Sequence, residues 1–147
     1  MVCICYTIRM KFNGAKIALI HNDNLVALLR DDKPGLEDAA KWDLPGGGRE
    51  GNETPEECAL REVQEELHIN LDPKSIVWKR EYDSIYHPGT KVYFLVATLD
   101  ENLIANIQLG DENQKWELMK VKDFLGNPNA IEYCKDRLRD YFRSNAG

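Results

Sequence analysis

The stretch GGREGNETPEECALREVQEELHI, residues 47–69, decides the fold. Within it, Thr54 is typical of a helix N-cap, Pro55 suits the first helical position, and Glu57 completes a capping box. Apolar residues then recur at helical spacing, at Ala59, Leu60, Val63 and Leu67. The stretch therefore predicts a helix that begins after Thr54 and packs one face against a core.

Three glutamates, Glu62, Glu65 and Glu66, share another face of this helix, because residues three and four apart are neighbours on a helix surface. Like charges at that spacing repel one another, and Arg61 alone does not neutralise three carboxylates. A solvated acidic face is the ordinary explanation for such a cluster. Carboxylates on a rigid helix also suit a metal site, since Mg²⁺ prefers oxygen ligands.

The residues on either side of the glutamates help to decide between a solvated acidic face and a metal site. Gly47 is followed after five residues by Glu53, and after seven more by Arg61-Glu62-Val63. One residue further comes Glu65-Glu66, and Ile69 closes the stretch. The pattern resembles the Nudix (MutT-like) hydrolase signature, G-x5-E-x7-R-E-U-x-E-E-x-G-U with U aliphatic, at eight of its nine specified positions.

The resemblance implies a fold and a reaction. Trp42–Gly47, just upstream, also resembles the family's approach to its signature. The implied fold is an α/β/α sandwich of the α/β (α+β) class, with a mixed central sheet and two main helices in a single domain over residues 1–147. The implied reaction is hydrolysis of a diphosphate linkage with Mg²⁺ as cofactor, or alternatively Mn²⁺, because a hard cation neutralises the phosphates and activates water.

The resemblance also assigns roles to residues. The implied metal ligands are the side chains of Glu62, Glu65 and Glu66 and the backbone carbonyl of Gly46. Arg61 belongs to the catalytic set. It resembles, with Glu53, the pair that braces the loop against the helix and orients the ligands. Gly47 has no Cβ, which lets the backbone approach the site closely.

His68 is the one departure from the signature, since the family has glycine there. The helix is expected to end at this position, where glycine usually supplies a left-handed turn. Histidine adopts that conformation more readily than most residues. We expect strain of about 1 kcal/mol or a reshaped helix exit, with the metal site intact.

Glu112 is a further candidate, for a metal ligand or general base. In Gly110-Asp111-Glu112, shortly before Trp116, it resembles an acidic residue that many family members place in a loop facing the metals. The spacing of that loop varies, so Asp111 is the alternative assignment. A solvated loop acid would need no such role.

The substrate contacts are less defined. Arg30, at the end of a predicted strand, is a candidate for a phosphate or base contact, and a plain surface arginine is the alternative. Tyr86 lies 17 residues beyond Ile69, near where diadenosine polyphosphate hydrolases of the family tend to carry a tyrosine. Other potential stacking platforms, which also suit a core, are Tyr82, Tyr93 and Trp116.

The remaining segments alternate between strand and helix patterns, and no repeat or linker marks a domain boundary. The predicted strands are Met1–Phe12, Lys16–Ile20, Leu25–Arg30, Ile76–Tyr86, Lys91–Leu99 and Trp116–Val121. Residues 21–24 read as a hairpin turn, and Asp31–Lys41 as a polar loop. A second helix is predicted over Ala130–Arg143.

Composition excludes several classes of protein. The 147 residues are 43% hydrophobic with a net charge of −6 and no basic run, which disfavours a nucleic-acid polymer as partner. No apolar run reaches the roughly 20 residues that span a bilayer, so no membrane partner is expected. The four cysteines, Cys3, Cys5, Cys58 and Cys134, lack zinc-ligand spacing and suit reduced thiols in a cytoplasmic protein.

The resemblance to the Nudix family implies a pyrophosphohydrolase that acts on a nucleoside triphosphate or another nucleoside diphosphate derivative, as a monomer or homodimer. The alternatives within the enzyme class are dinucleoside polyphosphates, nucleotide sugars and ADP-ribose. A ligand sensor that keeps the fold without turnover is the alternative from another class. Such sensors often lose signature glutamates, whereas all of them are present here.

Overall fold

A computed structural model of the chain describes residues 11–145. The first elements form the predicted hairpin, with strand β1 (Gly14–His21) antiparallel to strand β2 (Asn24–Arg30). Their pairing places Ile20 opposite Leu25. Asn22 makes the tight turn with a φ of 53°, a left-handed value that asparagine tolerates. The N-terminal strand predicted over Met1–Phe12 falls, except for its last two residues, outside the described part of the chain.

Five further strands complete one seven-stranded sheet: β3 (Trp42–Asp43), β4 (Gly46–Gly48), β5 (Ile76–Asp83), β6 (Lys91–Thr98) and β7 (Asn113–Lys120). The strands are ordered β3-β2-β1-β6-β5, with β4 paired to β1 and β7 paired to β2. Strands β1 and β6 are parallel, and the other strand pairs are antiparallel. The sheet is therefore mixed, as the sequence predicted.

The two main helices are α1 (Pro55–Leu67) and α4 (Glu132–Asn145). They cover opposite faces of the sheet, because successive residues of a strand point to opposite sides. Ile17 and Leu19 share one core cluster with Val63 of α1, whereas Ala18 shares the other with Leu138 of α4. This is the α/β/α sandwich expected from the sequence.

Several secondary-structure elements begin or end at residues other than those that the sequence predicted. Strand β5 ends at Asp83, short of the predicted Tyr86, because residues 84–90 form a turn. Strand β7 begins at Asn113 and stops at Lys120, because Val121 already starts a short helix, α3 (Val121–Gly126). The pattern also did not show the short helix α2 (Glu101–Ala105), the 3-10 turn Pro73–Ser75, or the short strands β3 and β4.

Cys58 and Cys134 are free and buried. Burial raises the pKa of the Cys58 thiol to about 11, so it stays protonated and behaves as a small core residue. Cys3 and Cys5 lie outside the described residues. Over residues 11–145, no helix has the length and apolar character needed to cross a bilayer.

Candidate active site

Helix α1 begins with reciprocal hydrogen bonds that fix its first turn. The Glu57 backbone amide donates to the Thr54 hydroxyl over 3.1 Å, and the Thr54 amide donates to the Glu57 carboxylate over 2.9 Å. Pro55 occupies the first turn, where its missing N–H costs no hydrogen bond. The predicted capping box is thus confirmed, and it determines where the acidic face of the helix starts.

Arg61 connects this helix to the preceding loop. Its Nε lies 2.6 Å from Oε2 of Glu53, and its NH2 group donates to the Gly48 carbonyl over 2.7 Å. The hydrogen bond from Arg61 holds the pKa of the Glu53 carboxyl below its usual range. Glu53 in turn raises the pKa of Arg61. The fork of the guanidinium therefore holds both a side chain and a backbone group of the loop.

The strand of glycines packs directly against the acidic face. The Gly46 amide donates to Oε1 of Glu66 over 2.9 Å. A Cβ added at Gly47 would collide with the Glu62 carboxylate, and one at Gly46 would collide with the Ala15 carbonyl. Gly46 also has a φ of 144°, which side chains rarely adopt. Only glycine therefore allows β4 to lie between β1 and helix α1.

A cavity of about 460 Å³, here called the acidic cavity, opens where these elements meet. It is lined by Lys16, Arg30, Asp31, Lys33, Leu36, Gly46, Gly47, Gly48, Glu62, Glu66, Asp111, Glu112 and Asn113. The structure thus brings together most of the candidates named from the sequence, including the loop acid Glu112 and the strand-end Arg30. Glu65 is not in the lining: it is half exposed and lies 3.2 Å from the Arg61 guanidinium.

Neighbouring positive charges compensate the carboxylates of the acidic cavity only in part. Burial raises the pKa of Glu66 to about 8, although Lys16 and the Gly46 amide partly oppose the shift. Burial also raises the pKa of Glu62, against the opposing effect of Arg61, and repulsion from Glu65 and Glu112 adds to the rise. A divalent cation would relieve this repulsion, and carboxylate oxygens are the ligands that hard cations prefer.

The acidic side chains of helix α1 contact other protein groups in this structure. The Arg61 NH1 group lies 3.2 Å from both Glu62 and Glu65, and Glu66 accepts from the Gly46 amide. Across residues 11–145, no three His, Cys, Asp or Glu side chains form a cluster that could hold a metal. The donor types nevertheless fit a hard cation, because such ions prefer carboxylate and carbonyl oxygens.

A buried ion cluster beside the acidic cavity was missed by the sequence reasoning. Asp43 is 4% exposed and accepts from Lys16 over 3.0 Å and from Arg30 over 3.2 Å. Burial lowers the pKa of Lys16, but Asp43 together with the smaller effects of Tyr133, Cys134 and Glu66 raises it overall. The available signal was Lys16 itself, a lone charge inside the apolar strand β1, whose partner lies 27 positions away.

The predicted aromatic contacts divide into two groups. Tyr86 does not line the acidic cavity but lines a neighbouring one, and its hydroxyl donates to Asp38. Tyr93 is buried and lines that second cavity too. Tyr82 and Trp116 pack against the two core clusters instead.

His68 ends helix α1 in the left-handed conformation expected of it, with φ 56° and ψ 36°. Its Nδ1 lies 2.7 Å from the Gln108 carbonyl, so the imidazole holds the segment that leads to Asp111 and Glu112. The Gly110 amide adds a second tie, donating to the Glu66 carbonyl over 2.8 Å. The hydrogen bond of His68 gives the imidazole a structural function that glycine would lack.

Comparison with known proteins agrees with this geometry. The chain matches the family model of the NUDIX domain over residues 11–140. An RNA pyrophosphohydrolase of Zymomonas mobilis is 47% identical over 126 residues, covering 85% of this chain and 72% of that protein. An 8-oxo-dGTP diphosphatase of Proteus vulgaris is 40% identical over 56 residues, covering 38% of this chain and 50% of that protein.

The fold is also similar to that of a solved structure. A bifunctional NMN adenylyltransferase/ADP ribose pyrophosphatase of Francisella tularensis, complexed with AMP and a manganese ion, superposes with a TM-score of 0.69. The superposition covers 98% of this chain and 45% of that chain, at 20% identity. The family-model match and the Zymomonas relative each extend over most of the sequence. The chain belongs to the Nudix hydrolase family.

Proposed function

We propose that the chain is a Mg²⁺-dependent pyrophosphohydrolase that cleaves a diphosphate linkage in a nucleoside triphosphate or another nucleoside diphosphate derivative. The observation that carries the proposal is the acidic cavity, whose lining combines Glu62, Glu66 and Glu112 with Lys16 and Arg30. Carboxylates would hold the cation, and the basic side chains would contact the phosphates. Both relatives described above are named for the hydrolysis of such linkages.

Nudix hydrolases generally use divalent metals, and the carboxylates of this chain fit that requirement. Glu62 and Glu66 would hold the cation from the helix, and Gly46 would contribute its carbonyl from the strand. Glu65 would join them after exchanging its contact with Arg61. When bound, the cation neutralises the negative charge of the phosphates and lowers the pKa of a bound water.

Arg61 and Glu53 act as positioning residues in this proposal. Their hydrogen bonds fix the loop that carries the glycine strand, and Arg61 reaches Glu62 and Glu65 as well. Groups that orient metal ligands typically change activity when they are substituted, although they do not touch the substrate. Gly47 also helps to position a metal ligand, because its missing side chain leaves room for the Glu62 carboxylate.

Glu112 is the proposed general base. It lines the acidic cavity just before strand β7, and its charge raises the pKa of Glu62. An exposed carboxylate close to the metal ligands is suited to accept a proton from an attacking water. Arg30 and Lys16, both anchored on Asp43, would hold the phosphates from the other wall of the cavity.

A substrate panel tests the proposal. The purified protein would be incubated with Mg²⁺ and nucleoside triphosphates, dinucleoside polyphosphates, nucleotide sugars or ADP-ribose, and the products resolved by chromatography. We expect a nucleoside monophosphate among the products. Binding of these compounds by the folded protein without any turnover would overturn the proposal in favour of a ligand sensor.

A further inference from the structure

A third cavity, of about 640 Å³, lies at the far end of strand β1 from the acidic cavity. It opens between the turn at Asn22 and Asp23, the start of helix α3 and the end of helix α4. Its lining shares no residue with the acidic cavity or with the second cavity beside it. Strand β1 runs for about 20 Å between Lys16 and Asn22. We call it the distal cavity, and its volume is typical of pockets that hold small organic molecules.

Three apolar side chains from two helices line the distal cavity. Val121 and Leu125 lie four positions apart and therefore share one face of helix α3. Both also pack against the core cluster that contains Leu138. Phe142 of helix α4 is 39% exposed and belongs to neither core cluster. The distal cavity therefore offers apolar contacts to a ligand, including a phenyl ring that the core does not use.

Four basic residues and one carboxylate line the same cavity. The basic residues are Lys120, Lys122, Arg139 and Arg143, and the carboxylate is that of Asp23. The whole chain has the opposite balance, with 19 Lys and Arg residues against 25 Asp and Glu residues. The distal cavity is therefore a positively charged site in a protein whose net charge is negative.

The two lysines of the distal cavity have no acidic partners. Among residues 11–145, no carboxylate forms an ion pair with Lys120 or Lys122. The two arginines differ, because each pairs with an aspartate three positions earlier on helix α4, over 3.1 and 3.3 Å. An anion can therefore reach the lysines without displacing a carboxylate of the described residues.

We propose that the distal cavity binds a small organic anion, an aromatic or acyl compound that carries a carboxylate, sulfonate or phosphate group. The apolar body of this ligand packs on Phe142, and its anionic group contacts Lys120 and Lys122. The apolar side chains line a concave site, which fits a small molecule better than the surface of a membrane. The inference does not rest on the proposed function, because the distal cavity contains no residue of the acidic cavity.

A fluorescence titration with anilinonaphthalene sulfonate tests the apolar contact, because this probe joins aromatic rings to one sulfonate. We expect saturable binding to the wild type. Phe142→Ser should raise the Kd of the probe by about tenfold, since the phenyl contributes part of the transfer free energy of an apolar side chain. Val77→Ser is the matched control, because Val77 is also exposed but lies outside the distal cavity, and it should leave Kd within twofold. Absence of saturable binding, or an unchanged Kd in Phe142→Ser, would overturn the proposal.

A double lysine variant tests the contact with the anionic group. Lys120→Gln combined with Lys122→Gln should raise the Kd of the sulfonate probe by about three- to thirtyfold. Lys74→Gln combined with Lys115→Gln removes the same charge from exposed lysines outside the cavity and should leave Kd within twofold. An equal rise in Kd in both double variants would show that only net charge matters, which contradicts the proposal.

A neutral probe separates the charge contact from damage to the cavity. N-phenyl-naphthylamine has the same rings without the sulfonate, so it should bind the wild type and both double variants equally. It should still bind Phe142→Ser more weakly than the wild type. Weaker binding of the neutral probe to the Lys120→Gln, Lys122→Gln variant would mean that the substitutions distort the cavity, and the anion contact would be withdrawn.

Vesicles and turnover separate the remaining alternatives. Binding to phosphatidylglycerol vesicles by a protein that does not bind the soluble probe would identify a membrane surface and overturn the proposal. The kcat and KM for the preferred nucleotide should stay within twofold of wild type in Phe142→Ser and in the Lys120→Gln, Lys122→Gln variant. Absence of turnover on every nucleotide would defeat the proposed function, whereas probe binding that is indifferent to these substitutions defeats this inference alone.

Discussion

The Gly46 amide donates to the Glu66 carboxylate over 2.9 Å, and this bond joins the glycine strand to the acidic face of helix α1. The two residues are 20 positions apart, yet their contact sets one corner of the acidic cavity. Arg61 makes the equivalent link at the other end of the loop through Glu53 and Gly48. These protein–protein hydrogen bonds therefore hold the helix and the strand together.

The first prediction concerns Arg61. Arg61→Lys keeps the charge but loses the fork that reaches Glu53 and Gly48 together, since an ammonium cannot replace a planar guanidinium. We expect kcat to fall about ten- to a hundredfold, the range found when groups that orient metal ligands are changed. Steady-state kinetics on the preferred nucleotide measure the loss. Lys79→Met, which removes an exposed ion pair with Glu56, should leave kcat unchanged.

The same variant should change the pH dependence of stability. Arg61 holds the pKa of Glu53 below its unfolded value, so this stabilisation is present above that value and is lost as the pH falls. The difference in the free energy of unfolding between wild type and Arg61→Lys should therefore narrow below about pH 4. Urea titrations at several pH values check this, and a difference that widens in acid would contradict it.

The second prediction concerns the loop acids. If Glu112 is the general base, Glu112→Gln should lower kcat about 10²- to 10⁴-fold with little change in substrate binding. Asp111 lines the same cavity, which makes Asp111→Asn a demanding control that should have little effect. If neither variant lowers kcat, the general base is instead Glu62 or Glu65. If only Asp111→Asn lowers kcat strongly, the general base is Asp111.

The third prediction concerns His68. His68→Gly relieves the left-handed strain, of about 1 kcal/mol, but removes the hydrogen bond to Gln108, which is of similar size. Stability should therefore change by less than about 1 kcal/mol, and activity should stay within about threefold. His68→Ala, which loses the bond and keeps the strain, should be the less stable variant. A collapse of activity in folded His68→Gly would show that the imidazole has a direct role.

The fourth prediction concerns the buried Asp43. Asp43→Asn leaves Lys16 and Arg30 without their shared carboxylate, and removal of one partner from a buried ion pair typically costs about 3–5 kcal/mol. The free energy of unfolding, measured by urea titration, should fall by about that amount. Asp136→Asn breaks an exposed pair with Arg139 and should cost less than about 1 kcal/mol. Equal stability of the two variants would mean that the ion cluster around Asp43 contributes little to the free energy of unfolding.

Local signals explain what the sequence could predict. The capping box of Thr54 and Glu57 lies within one turn, and the spacing of Glu62 and Glu66 places both carboxylates on one face whatever the rest of the chain does. The hairpin around Asn22 has the same local origin. These elements were predicted from neighbouring residues alone.

Long-range contacts explain what was missed. Lys16 meets Asp43 only because β1, β2 and β3 pair in register, and no local pattern reports that pairing. Tyr86 and Tyr133 likewise line the same second cavity although they are far apart in the sequence. Glu65 shares a helix face with the other glutamates, yet its side chain contacts Arg61 and does not line the acidic cavity.

Metal-dependent catalysis on helix α1 is tested most directly by a Mg²⁺ titration of turnover in wild type and Glu66→Gln after exhaustive chelation. We expect no turnover by the chelated wild type and full recovery with Mg²⁺. We expect a kcat lower by about a thousandfold in folded Glu66→Gln at saturating Mg²⁺, since loss of about 4 kcal/mol of transition-state stabilisation has that effect. Turnover that survives chelation, or Glu66→Gln within tenfold of wild type, would contradict a metal-dependent hydrolase built on this helix.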